Sequence, residues 1–468
     1  MEKHILSKST FIRGLQCLKS LYLHKHRPFL RDKMSALQLN KFDRGHDVGA
    51  LAHQLFPKGE NCAPHHPAAY RKSIEKTLKL VEDKFPVLYE ATFQAEGVLV
   101  MVDILVFNGL SWDMYEVKSS LKVSQTYLYD VALQYYVLQQ ANLSLGKAYI
   151  LHVNQDYLYP GGDIDPLLFF NKVDLTEEVV DLQDKIKLLI DSEKQVLESA
   201  SSPAVDIGTW CFLPYICDFM GHCWKSEPLN SVARLQSIPP HERFLLKENG
   251  IFSWNDLQEH HLKNPILSAE VVARYSGRPF VNKEELRHKL EGITIPAFAY
   301  IVAAENAIPQ FPETHPFEPV PLLWGFNGSG GEAINIASSR EGEYPMAQCQ
   351  KDAFSVGLGS GSVFFTWGNR ATHVLHRLFP ESQVEDLEQW LWSSFLYFPF
   401  SREDSEPWLF ASQAGLMDAP VEKSASEDIL RKLRKDKNYG SSRQMSVFIQ
   451  RELAALKLIF QLIKEMSV

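Results

Sequence analysis

Six cysteines in 468 residues are too few for a disulfide scaffold. No run of about 18 apolar residues occurs, so no membrane-spanning helix is expected. The opening MEKHILSKS lacks the apolar core of a signal peptide, which points to the cytoplasm. No internal repeat or low-complexity tract stands out either. What is present is 45% hydrophobic and 12% aromatic residues, enough for the two or three cores that a chain of this length implies at roughly 150 residues each. The net charge of -9 predicts solubility, but charge is local. Residues 1–33 hold eight Lys or Arg against two acids, and residues 431–443 hold six in thirteen positions. Either stretch can touch a phosphate backbone, and either can equally be a solvated helix face.

Apolar spacing predicts a first helix from Thr10 through the segment TFIRGLQCLKSLYLHK, with Ser9 as N-cap, and a second over 46–56. Three strands are expected at 87–94, 98–107 and 112–120, divided by Glu96-Gly97 and by Asn108-Gly109, a hairpin signal. A helix over QTYLYDVALQYYVLQQA and a strand at 147–154 follow, giving an α/β core with a mixed sheet. Residues 174–199 read as one amphipathic helix opened by Thr176 and Glu177. Beyond 226 come short helices, with Asn249-Gly250 as a helix end. After Pro296, Pro- and Gly-rich loops surround strands such as SVFFTWG, and the chain closes on a helix from Arg443.

Asp103 sits in the middle of the apolar strand VLVMVDILVF, where a carboxylate needs a partner or a cation. Glu116 and Lys118, two residues apart on the next strand, leave one face of the sheet. If Asp103 uses that face, two carboxylates and an amine converge, the grouping that metal-assisted phosphodiester hydrolysis requires. Hard oxygen ligands suit Mg²⁺ or Mn²⁺, and an ammonium can orient the attacking water. E-x-K by itself is more often an ordinary salt bridge on a solvent face.

In sequence order these residues resemble the PD-(D/E)XK nuclease superfamily, and within it the RecB-like branch that includes CRISPR-associated RecB-like exonucleases and the AddB subunit. Asp103 and Glu116-Val117-Lys118 match the D…(D/E)-x-K element, Gly49 to His53 match an upstream Gly-x-x-x-His, and Gln134-Tyr135-Tyr136 match a downstream helix motif. The branch's tyrosine four residues after the glutamine is Leu138 here. The resemblance implies that Asp103, Glu116 and the Val117 carbonyl hold Mg²⁺ or Mn²⁺, with His53 as a further ligand. It implies that Lys118 acts on the water, that Gln134 positions substrate or water, and that Glu90 is an accessory acid. The substrate implied is DNA, single-stranded or with free ends, together with protein partners in repair or recombination.

Cys17 lies in the first helix, and Cys211, Cys217 and Cys223 follow at five-residue spacings. Thiolates so placed can converge on zinc or on an iron-sulfur cluster, and spacing does not choose between them. One cysteine, a nuclease domain and three more cysteines is similar to the RecB-like branch's clamp for a [4Fe-4S] cluster. The C-x5-C-x5-C trio departs from that branch's usual C-x2-C pair and leaves zinc open. His222 is a spare ligand candidate, and Cys62 and Cys349 read as structural.

The segments SIPPHERFLLKENGIFSWNDL and NAIPQFPETHPFEPVPLLWGF are similar to a bacterial family that fuses a RecB-like nuclease to a C-terminal ribonuclease-H-like exonuclease. Its Asp-x-Glu pair is absent: Ile301, Val302 and Ala303 stand there, with Glu305 nearby, and Phe448 and Glu452 replace its Tyr and Asp. The expected fold class is therefore α/β: a PD-(D/E)XK restriction-endonuclease-like core with a mixed sheet over 1–225 and a helical linker over 226–295, for which helix-hairpin-helix is one reading. A ribonuclease-H-like α/β domain without catalytic activity completes it over 296–468.

Overall fold

The structure, a computed structural model, describes residues 6–34, 36–336, 345–359, 361–400, 406–418, 426–435 and 443–468; the basic stretch 431–443 falls partly outside them. The chain divides into two compact units, Met1–Glu227 with Ala307–Pro316, and Pro228–Asn306 with Phe317–Val468. Each unit is α/β with a mixed sheet. The segment read as a linker groups with the second unit.

The first unit is built on β1 (Leu6–Ser7), β2 (Glu60–Asn61), β3 (Val87–Ala95), β4 (Val98–Phe107), β5 (Trp112–Lys118), β6 (Leu145–Val153) and β7 (Phe170–Asp174). They run β2-β3-β4-β5-β6-β7, and β1 pairs parallel to Val98 and Leu99 at the start of β4. The two hairpins lie where alternation ends. Glu96 and Gly97 both take positive φ, 45° and 70°, as the tight turn between β3 and β4 requires. Asn108-Gly109 makes a longer loop than a two-residue turn. The Asn108 Oδ1 accepts from the N–H groups of Leu110 and Ser111, a side-chain mimic of a backbone turn.

The helix expected from Thr10 is two helices, α1 (Lys8–Gln16) and α2 (Leu18–His26), broken at Cys17, whose backbone is extended (φ -163°, ψ 115°). Ser7, not Ser9, caps α1 in a capping box with Thr10, worth about 1 kcal/mol. The helix α3 (Ala36–Ala52) starts ten residues earlier than expected, and His53 falls in the short 3₁₀ turn His53–Leu55 after it. The helix α4 (Tyr70–Glu82) had no counterpart in the sequence reading. Packed on the sheet is α5 (Gln125–Gln140), capped by Ser124, with Val131, Leu133 and Leu138 in one core with Val100, Val102, Met114 and Ile150. The long helix expected over 174–199 is two, Thr176–Asp181 and Gln183–Glu198.

Gly14 lets α1 meet the second of these closely: a Cβ there would lie 2.3 Å from the Glu193 carboxyl. Glu193 is 1% exposed, neither of its oxygens has a hydrogen-bond partner among the described residues, and burial pushes its pKa up to about 9. Unfolded, this carboxyl releases its proton near pH 4.5; folded, it keeps it to about 9. Between those values folding takes up a proton, so stability falls as pH rises. Glu193→Gln, a neutral stand-in, should melt with wild type at pH 5 and several degrees above it at pH 8, by thermal denaturation. An equal melting difference at both pH values would contradict this.

The second unit carries β8 (Phe280–Val281), β9 (Pro296–Glu305), β10 (Pro319–Gly328), β11 (Gly331–Ile336), β12 (Val363–Thr366), β13 (Gln383–Asp386) and β14 (Leu396–Tyr397). Five strands form one sheet in the order β11-β10-β9-β12-β13, antiparallel across β11, β10 and β9 and parallel from β9 through β13. The helix Arg443–Ser467 packs on β9 and β10, and Gly325 permits its approach: a Cβ there would lie 2.2 Å from Ile449. The expected helix end at Asn249-Gly250 is present, Gly250 having φ 81°.

Candidate active site

Strand register builds the site. Tyr89 pairs with Ile104 and Ala91 with Val102, so Glu90 stands opposite Asp103. Ile104 pairs with Tyr115, so Asp103 stands opposite Glu116. Directly opposed residues share a face. Three carboxyls therefore form one row across β3, β4 and β5. Glu90 takes φ 51°, a left-handed conformation rare for a side-chain-bearing residue in a strand, and the ladder pairing is interrupted there. Asp103 accepts from the Val117 N–H at 2.7 Å.

Glu116, 1% exposed, is the centre. Lys118 Nζ donates to its Oε1 at 2.5 Å, Lys8 Nζ to the same oxygen at 2.8 Å, and Gln134 Nε2 to its Oε2 at 2.7 Å. Asp130, on α5, takes a second bond from Lys118 at 2.5 Å. Lys8 arrives because β1 docks on β4 and α1 starts immediately after it. The Gln134 Oε1, fully buried, has no partner among the described residues.

Four carboxyls thus face two ammonium groups, and the titration directions record the imbalance. Burial pushes Glu116 up, but Lys118 and Lys8 outweigh it and hold it well below the usual carboxylate range. Burial, then the charge of Glu116, pushes Asp103 up to about 7. Asp130 is raised by burial and by Glu116. Burial also raises Glu90, against the pull of Lys8. Burial would lower Lys118, yet Asp130, Glu116 and Asp103 raise it far more. Two ammonium groups facing four carboxyls leave an excess of negative charge in the row, which a divalent cation would relieve.

The structure brings Glu90, Asp103, Glu116, Val117, Lys118 and Gln134 together. It does not bring His53. Its ring stacks on Tyr89, centroids 3.9 Å apart, in the adjacent register row, which leaves the sheet on the other side. Among the described residues no group of three or more His, Cys, Asp and Glu side chains is arranged to hold a single metal ion. Lys8 and Asp130 were missed. Asp130 had a signal, four residues before Gln134 on one helix face. Lys8 had only membership of the basic N-terminal stretch, and four of the eight basic residues there are committed within the chain: Lys8 to Glu116, Arg13 and Arg31 to Asp218 at 2.7 and 2.6 Å, and Lys19 to the Val205 carbonyl.

Cys17, Cys211, Cys217 and Cys223 line one small cavity with Trp210 and Phe219, and all four are free thiols. The break at Cys17 lets its Sγ accept from the Ser20 N–H at 3.5 Å, and the Cys217 thiol lies 3.6 Å from the Ser20 hydroxyl. Burial raises the thiols of Cys17, Cys211 and Cys223, so a bound cation would have to displace their protons. His222 does not line the cavity. Cys62 and Cys349 are buried elsewhere, each in an apolar cluster.

In the second unit Ile301, Val302 and Ala303 are buried in β9. Glu305 pairs with Arg370 at 3.1 Å and Glu452 with Arg451 at 2.6 Å.

No family model matches this chain, and no curated protein matches it. Among solved structures, one described as "Crystal structure of SSO0001" is similar over 46% of this chain and 93% of its own, at 11% identity and a TM-score of 0.18, a likeness too slight to carry an argument.

Proposed function

We propose that the first unit is a metal-dependent deoxyribonuclease of the PD-(D/E)XK superfamily, similar to its RecB-like branch. The observation that carries this is the row Glu90, Asp103 and Glu116 with Lys118 and Gln134 on it. Asp103, Glu116 and the Val117 carbonyl would hold Mg²⁺ or Mn²⁺, oxygen donors of the kind these cations take. His53, on the other side of the sheet, has no part in it. Bound there, the cation would neutralise a phosphate and acidify a water. Gln134 fixes the orientation of Glu116 and offers its free Oε1 to a water. Lys118 presents a permanent positive charge to the charge that develops on the phosphate. Lys8 shares Glu116 with Lys118 and must yield that oxygen when a cation binds.

The four thiols line one small cavity though they are not arranged around a single metal position, and we assign them to a [4Fe-4S] cluster on which they would close, with zinc as the alternative. Free thiols suit a reducing compartment, consistent with a cytoplasmic role in DNA repair, recombination or defence. No described helix is long and apolar enough to cross a membrane. The second unit is read as ribonuclease-H-like and inactive, because apolar residues stand where its first acids belong and Glu305 and Glu452 are paired with arginine. A non-catalytic nucleic-acid scaffold is the second reading, favoured by the neutralisation of Glu116 by two lysines.

Incubation with end-labelled single-stranded DNA decides between them. Strand cleavage in Mn²⁺ that stops with a chelator is expected. Binding without cleavage in either Mg²⁺ or Mn²⁺ would leave only the scaffold.

A further inference from the structure

Attack of water on a phosphodiester releases a proton, and the residues on the carboxylate row offer it no free acceptor. Lys118 is bonded to the carboxylates of Glu116 and Asp130 at 2.5 Å each, and their charges hold its own proton far more firmly than usual. The Glu116 oxygens are taken by two ammonium groups and the Gln134 amide. Gln134 carries no basic nitrogen. Asp103 and Glu116 are the oxygens that a cation would take, and Glu90 stands two strands away from Lys118. A proton acceptor has to come from beside the row.

His152 stands there. It lies on β6 in parallel register with Lys118, as Ile150 does with Glu116. Paired residues share a face, so the Lys118 and His152 side chains leave the sheet side by side on strands about 4.8 Å apart. On its other side His152 pairs with Asn171 of the edge strand β7, which is exposed, so this second row opens to solvent at the edge. The ring itself is 9% exposed and is fixed by one nitrogen: Nδ1 lies 3.1 Å from the Val153 carbonyl oxygen. The Val153 N–H in turn donates to the Ser120 carbonyl at 3.0 Å, which pins β6 to the chain leaving β5. A carbonyl only accepts, so Nδ1 is the nitrogen that carries the proton, and in the neutral ring Nε2 holds a lone pair. Nε2 has no hydrogen-bond partner among the described residues. A packing histidine is satisfied at both nitrogens, whereas a carbonyl on Nδ1 with Nε2 free is the arrangement that orients an imidazole for proton transfer.

We propose that His152 is a further catalytic residue of this site, the general base whose Nε2 takes the proton of the attacking water beside Lys118. This rests on the nuclease reading. The water oxygen bonds to phosphorus as its proton passes to Nε2. The bond from phosphorus to the departing sugar oxygen breaks, and that oxygen takes a proton from solvent, to which His152 then returns its own. Lys118 and His152 thus divide the work: the ammonium stabilises charge on the phosphate, and the imidazole removes the proton that the ammonium cannot accept.

The test is single-turnover cleavage of an end-labelled oligothymidylate in Mn²⁺ by the full-length protein, with binding of the same strand in Ca²⁺ measured by fluorescence anisotropy. His152→Asn sets an amide where Nδ1 stands, keeps the bond to Val153 and lacks Nε2, so it should bind as wild type and cleave at least ~100-fold more slowly. His152→Ala should lose the same rate, and added imidazole should restore part of it while leaving wild type unchanged. If alanine disturbs the strand, the asparagine variant still reads the loss of Nε2. Wild-type cleavage by both variants overturns the proposal. So does a loss of rate matched by a loss of binding, or one that imidazole does not restore in the alanine variant, either of which makes His152 a packing or substrate-holding residue. Those results leave the nuclease reading standing as long as wild type cleaves. Wild-type protein that never cleaves in Mn²⁺ sinks the nuclease reading and this base with it.

Discussion

Lys118→Ala is expected to reduce DNA cleavage at least ~100-fold and to destabilise the first unit by about 3–5 kcal/mol, because it removes a charge-stabilising amine and leaves buried carboxylates short of a partner. Lys118 is the only residue bonded to both Glu116 and Asp130 at 2.5 Å among the described residues. Without it Lys8 alone faces four acids, and Asp103, already at about 7, moves further up. Single-turnover cleavage and chemical denaturation measure the two effects separately. Lys118→Arg should restore stability better than rate, since a planar guanidinium cannot occupy the point position of an ammonium between two carboxylates. A stable alanine variant with wild-type cleavage would remove Lys118 from the mechanism.

Cys17→Ala and Cys217→Ala should each cost several kcal/mol of stability and bleach the protein. Cys17 joins α1 to α2, and Cys211, Cys217 and Cys223 lie on the segment that closes the first unit, so the proposed shared centre would tie together residues almost two hundred positions apart. Anaerobically purified wild type should be brown, with iron and sulfide, and the variants colourless with lowered melting temperatures. A colourless wild type with stoichiometric zinc would replace the cluster by zinc and keep the stability effect. Unchanged melting in both variants would mean that the thiols are inert.

The β3–β4–β5 meander was legible in the sequence because alternation and two turn dipeptides specify it locally, and with it the shared face of Asp103, Glu116 and Lys118. The convergence of Cys17 with the later three was legible through resemblance, but its means was not. A helical pattern runs straight through Cys17, and only packing against the 211–223 segment selects the extended conformation there. Lys8 was out of reach for a similar reason: its place depends on β1, two residues long, docking on β4. Asp130 was readable in principle from its spacing to Gln134. His53 illustrates the reverse error. A motif in the right order carried it into the site, and a stack on Tyr89 holds it on the opposite face.

Asp103→Asn tests the central claim most directly. The amide oxygen can still accept from the Val117 N–H, so the fold is kept while the carboxylate is lost. Measured by single-turnover cleavage of end-labelled single-stranded DNA in Mn²⁺, the variant should retain less than about 1% of the wild-type rate with an unchanged or higher melting temperature. Because it leaves the second unit intact, the same assay reports whether that unit cleaves on its own. Wild-type rates in Asp103→Asn would contradict the assignment of the carboxylate row as the active site.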